Sequence, residues 1–121
     1  MTKRLLLLFA AAALAVSLML PATAEAAKRK KLVGTVGPGF TIVLKKKGHI
    51  VTSLKAGKYK IVIHDNSSSH NFHLTGPGDF DKSTDVGGTG TTTWKVRLKP
   101  GTYEFVCDPH ASSMNGSFTV T

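Results

Sequence analysis

At 121 residues the chain has room for one small domain. Sixteen Lys and Arg against seven Asp and Glu give a net charge of +9. That balance raises nucleic acid as a partner, but the basic runs at 28–31 ("KRKK") and 45–47 ("KKK") have no aromatics interleaved, which excludes the usual nucleic-acid pattern. One cysteine excludes an intramolecular disulfide, so an exported domain of this size is left with a metal to compensate for its small core.

In chain order, Lys3 and Arg4 precede the apolar run "LLLLFAAAALAVSLML" and then "PATAEAA". A positive start, an apolar stretch and small residues predict a signal peptide over 1–26, cleaved after Ala24 or Ala26. The run is shorter than the roughly 20 residues of a spanning helix, and no cysteine near the cleavage region offers a lipid anchor. The expectation is export to the periplasm or the extracellular space. The remaining domain, 27–121, starts with a flexible basic stretch at 27–31 and keeps 14 Lys and Arg against 6 Asp and Glu once Lys3, Arg4 and Glu25 are gone.

Period-two alternation runs through that domain, and no helical period follows residue 27. "FTIVL" puts Phe40, Ile42 and Leu44 on one face; "KYKIVIHD" puts Tyr59, Ile61 and Ile63 inward, with Lys58, Lys60 and His64 outward. "TGPGDFDKSTDVGGTGT", 75–91, reads as a glycine-rich crossing loop. "TWKVRLK" turns Trp94, Val96 and Leu98 inward, "PGT" at 100–102 reads as a hairpin turn into "YEFVC", and "GSFTVT" ends with Phe118 and Val120 on the core side. The pattern predicts an all-β sandwich of antiparallel sheets, burying Trp94, Phe40, Phe105 and Phe118 together.

The lone Cys107 opens "CDPHASSMNG", with His110 three residues on and Met114 four further. Thiolate, imidazole and thioether together select copper among the common metals. Alternation places Cys107 on the face of Tyr103 and Phe105, Pro109 turns the chain so that His110 and Met114 fold back, and Gly116 releases it into the last strand. One more nitrogen is needed, and "NSSSHNFHL" supplies His70 and His73. In a strand these two point to opposite faces. His49 and His64 read as surface residues.

"SHNFHLTGPG" from Ser69 and "YEFVCDPHASSMNGSFTV" from Tyr103 resemble the cupredoxins, the plastocyanin- and azurin-like blue copper proteins, over nearly all of the mature domain. The resemblance implies a Greek-key β-sandwich of two sheets with about seven or eight strands, holding one mononuclear type 1 copper ion. It implies His70 as the upstream ligand, Cys107 as the thiolate, His110 as the second imidazole and Met114 as the weak axial thioether, leaving His73 as the alternative to His70. Asn71 would tie the two ligand loops by hydrogen bonds, and His110 would present its ring edge as the electron's exit. One cysteine excludes a binuclear site with two bridging thiolates. The implied function is an exported one-electron carrier rather than an enzyme; a copper-binding or delivery protein is the alternative. Its expected partners are redox proteins, acidic ones suiting its charge, or an anionic surface, with no nucleic acid and a monomeric state.

Overall fold

The computed structural model describes residues 28–121; the expected signal peptide at 1–26 lies outside them. Among the described residues ten strands follow in chain order: β1 Lys30–Val36, β2 Ile42–Lys46, β3 His49–Ile50, β4 Ser53–Leu54, β5 Gly57–Asp65, β6 His73–Gly76, β7 Phe80–Ser83, β8 Gly90–Leu98, β9 Gly101–Val106 and β10 Asn115–Val120. They form two five-stranded sheets, ordered β3-β2-β1-β5-β8 and β4-β10-β9-β6-β7. Among the described residues no helix is long and apolar enough to cross a membrane.

The inward faces follow the alternation. Leu32, Leu44, Tyr59, Ile61, Ile63, Trp94, Val96 and Leu98 from the first sheet meet Leu74, Tyr103, Phe105, Phe118 and Val120 from the second. Each such aliphatic or aromatic side chain contributes on the order of 1.5–3 kcal/mol when fully buried. The aromatics interlock: Phe72 stacks on Phe105 with centroids 5.3 Å apart and meets Trp94 edge-on, while Tyr103 stacks on Phe118 at 5.2 Å.

Several expectations need correction. Both sheets are mixed, because β1 runs parallel to β5 and β4 parallel to β10. Period two assigns a side chain to a face but carries no information about the neighbour's direction. Residues 100–102 do not close a hairpin, since β8 belongs to the first sheet and β9 to the second. The chain changes sheet there, and the Tyr103 hydroxyl holds the corner, donating to the Lys99 carbonyl (3.1 Å) and accepting from the Lys99 N–H (2.9 Å). The 75–91 segment contains β7, paired antiparallel with β6.

Phe40 is not in the core: it is 68% exposed. The turn Gly37-Pro38-Gly39 ends β1 at Val36 and the next ladder starts only at Ile42, so alternation cannot be extended back to Phe40. Gly116 lies inside β10 rather than at a turn, and a Cβ there would collide with the Phe105 ring, so its function is close approach.

Candidate metal centre

Four expected site residues flank strands of the second sheet. Cys107 follows β9, Met114 precedes β10, and His70 and Asn71 precede β6. A short 3-10 turn, Asp108–His110, carries Pro109 near its start, where a missing N–H loses no hydrogen bond. Main-chain bonds then close the loop on itself. His110 N–H donates to the Cys107 carbonyl (3.0 Å), Met114 N–H to the His110 carbonyl (2.8 Å), and Cys107 N–H to the Met114 carbonyl (3.0 Å). Cys107, His110 and Met114 are thereby held as one unit.

The upstream histidine is positioned by a different device. The carboxylate of Asp65 accepts from the Ser67 N–H (3.0 Å), the Ser67 hydroxyl accepts from the Ser69 N–H (3.1 Å), and the Asn66 N–H donates to the Val36 carbonyl (2.9 Å). These bonds, two of them local and one to the end of β1, turn the chain after β5 so that His70 enters the sandwich end, where it is buried. Gly37, at φ +68°, makes room: a Cβ there would stand 3.3 Å from the His70 ring and 2.8 Å from Ser67.

The result is a triangle of donor atoms. The Nδ1 atoms of His70 and His110 are 3.1 Å apart, and each is 3.6 Å from the Cys107 sulfur. A point equidistant from all three lies about 2.0 Å from each, within the usual range for a metal–imidazole bond. Cys107 is fully buried and unpaired, His70 is buried, and His110 is half-buried. Met114 is buried, and its backbone bonds to Cys107 and His110 hold it at the same end of the core. One hard carboxylate site would look different; this set, soft sulfur with two imidazoles, fits copper.

Asn71 bridges the two loops. Its amide donates to the Asp108 carboxylate (2.7 Å) and to the Thr84 carbonyl (3.2 Å), while its oxygen accepts the Asp108 N–H (2.8 Å). His73 stands outside the triangle, with Nδ1 against Asp108 and Nε2 against Asp81, each at 2.8 Å. Both ring nitrogens of His73, the alternative to His70, are therefore engaged by carboxylates, and the donor triangle is formed with His70. The Asp108 hydrogen bond, opposed by partial burial and aided by Asp81, raises the His73 pKa above its ordinary value. The same bond, with help from Asn71, lowers that of Asp108. His49 and His64 are exposed, the latter 3.1 Å from the Thr91 hydroxyl.

Sequence reasoning missed two residues. Phe40 meets both imidazoles edge-on, at 5.3 Å from His70 and 5.0 Å from His110. The preceding "GPG" was the available signal that it sits on a turn. Asp108 links Asn71 to His73, and nothing in the spacing marks it.

A two-sheet sandwich with a buried thiolate and two imidazoles at one end defines a small protein built around a single metal ion. A family model described as cupredoxin-like domain matches residues 10–120, and the chain belongs to that family. Among solved structures, reduced rusticyanin matches with a TM-score of 0.57 at 21% identity, over 75% of this chain and 78% of that one. Rusticyanin from Thiobacillus ferrooxidans matches with a TM-score of 0.56 at 20% identity, over 75% and 76%. A further structure, of the copper protein rusticyanin, gives 0.58 at 21% identity over the same shares. These likenesses concern the fold. No curated protein sequence matches the chain. Together, the family and the donor triangle make this end of the sandwich a site for one copper ion.

Proposed function

We propose that the chain is an exported blue copper protein that carries single electrons, with His70, Cys107, His110 and Met114 as the side chains that would hold the ion. The observation that carries this reading is the convergence of two Nδ1 atoms and one buried sulfur within hydrogen-bond-like distances of each other. Copper bound there supplies a Cu(I)/Cu(II) couple. Two imidazoles, a thiolate and a thioether would suit both oxidation states of such an ion.

The chain's own residues give that site its character. Full burial of Cys107 keeps water from the sulfur. The Asn71–Asp108 pair fixes the upstream loop against the Cys107 loop, so neither histidine can swing away independently. His110 alone of the three is partly exposed, and its ring is the shortest route from the site to the surface. Phe40, exposed beside it, supplies an apolar contact for a redox partner at that end.

A delivery protein would hand its ion to an acceptor through ligand exchange, which requires access to the sulfur. Cys107 is fully buried, which favours the carrier. Voltammetry of the copper-loaded chain tests the choice. A reversible one-electron wave with fast exchange is expected, and Met114→Leu should raise the potential while copper stays bound. Sluggish electron exchange with ready loss of Cu(I) to a chelator would favour delivery instead.

A further inference from the structure

The strand register of the first sheet places like charges directly opposite one another. Lys31 on β1 faces Lys60 on β5, and Lys60 faces Lys95 on β8, so three lysines cross the sheet in one row. Two residues further along, on the same side, Lys58 faces Arg97. Lys45 stands opposite Val33 one row the other way. The flanking residues Leu32, Ile61, Tyr59, Trp94 and Val96 are buried, so these six cations all point outward.

Directly opposed like charges weaken a strand pair, and an acid in the same rows would relieve it. None is there. Of the carboxylates among the described residues, Asp79, Asp81, Glu104 and Asp108 lie on or beside the second sheet, while Asp65 and Asp85 line a cavity at the site end. No ion pair among the described residues involves any of the six cations. Arg29 differs, because its guanidinium donates to the Val96 carbonyl at 3.0 Å. At the end of the same sheet Lys30, Lys31, Lys46 and Lys47 line a groove of about 310 Å³.

We propose that this outer face of the first sheet is a docking surface for a membrane rich in anionic phospholipid. The surface is a grid, with cations about 4.8 Å apart across strands and about 6.7 Å apart along them. It carries no aromatic residue, whereas protein–protein interfaces are depleted of charge and enriched in aromatics at their centre. It also lacks the stacking rings of single-strand nucleic-acid binders. Densely cationic and unneutralised, it matches phosphate headgroups, with each lysine strengthening adsorption roughly fivefold. Lys31 lies five residues before Val36, about 17 Å along the strand from the turn that touches His70. A molecule adsorbed through the grid therefore keeps its histidine end uncovered.

The inference stands apart from the copper reading and is tested separately from it. The chain from residue 28, which contains both sheets and the whole site, is sedimented with vesicles of phosphatidylglycerol and phosphatidylcholine. Binding is expected at low salt, lost on pure phosphatidylcholine and lost in 1 M salt, where charges are screened within about 3 Å. Combining Lys31→Gln, Lys60→Gln and Lys95→Gln should weaken binding about a hundredfold. Combining Lys55→Gln, Lys82→Gln and Lys99→Gln removes the same charge elsewhere and should weaken it less than about fivefold. Unchanged circular dichroism of both variants establishes that each is folded. Equal weakening by the two sets would overturn the proposal, as would failure of the unaltered chain to bind. So would capture of the unaltered chain by an immobilised acidic protein in the absence of vesicle binding.

Discussion

The two sheets are similar in strand number and opposite in use. The first is built on the two longest strands, β5 and β8, nine residues each, and their nine-pair register makes a broad regular platform. The second has short strands of two to six residues, and every expected metal ligand lies in a loop at one of its strand ends. A long regular ladder fixes the direction of each side chain along it and leaves little freedom to aim one. Short strands leave loops that can be bent by turns and side-chain hydrogen bonds until four donors converge. The first sheet still reaches the site, through the loop after β1 that brings Gly37 against His70 and Phe40 against both imidazoles.

Substitutions on either side of that division should separate stability from copper chemistry. The largest effect is expected from Cys107→Ala on the second-sheet side. It removes the only thiol, and should abolish both the visible band and most copper affinity while the chain stays folded, as circular dichroism would verify. Ile61→Ala on the platform should do the reverse. It empties a fully buried position and should cost about 2–5 kcal/mol in denaturant unfolding, with the copper spectrum of the folded fraction unchanged. A spectrum altered by Ile61→Ala would break the division.

Asn71→Ala comes next, because it removes the bridge from the upstream loop to Asp108 without touching a donor atom. Copper affinity should fall about 10–100-fold in a competition titration. The smallest effect is a pH dependence on the outside of the second sheet. The His73 pKa is raised above 6.5 in the folded chain, so its contribution is fully present below 6.5 and lost as pH rises through the raised value. The Asp108 pKa is lowered below 3.8, so the contribution of its charge is present above 3.8 and lost as pH falls through the lowered value. The difference in melting temperature between the parent and His73→Gln should therefore be widest between these limits and narrow as pH rises through the raised His73 value. A difference independent of pH would contradict the ion-pair origin.

The same division explains what the sequence revealed. In the platform, alternation named the buried faces of β5 and β8 residue by residue, because a one-residue slip would expose every apolar side chain. In the second sheet, "CDPHASSM" was legible since Pro109 and a short spacing force a return of the chain. Less could be read where partners are distant. The parallel pairing of β1 with β5 depends on which strands neighbour each other, and Tyr103 alone marks the change of sheet at 100–102. Phe40 was misplaced because a large apolar residue beside a strand looks like core, whereas here it covers imidazoles at the surface.

The account rests on a single copper ion held by one sulfur and two imidazole nitrogens. Adding Cu(II) to the purified chain from residue 28 and recording its visible spectrum tests that most directly. An intense thiolate-to-copper absorption saturating at one equivalent is the result the donor triangle predicts. A colourless adduct, or saturation at more than one ion with no sulfur-derived band, would contradict it.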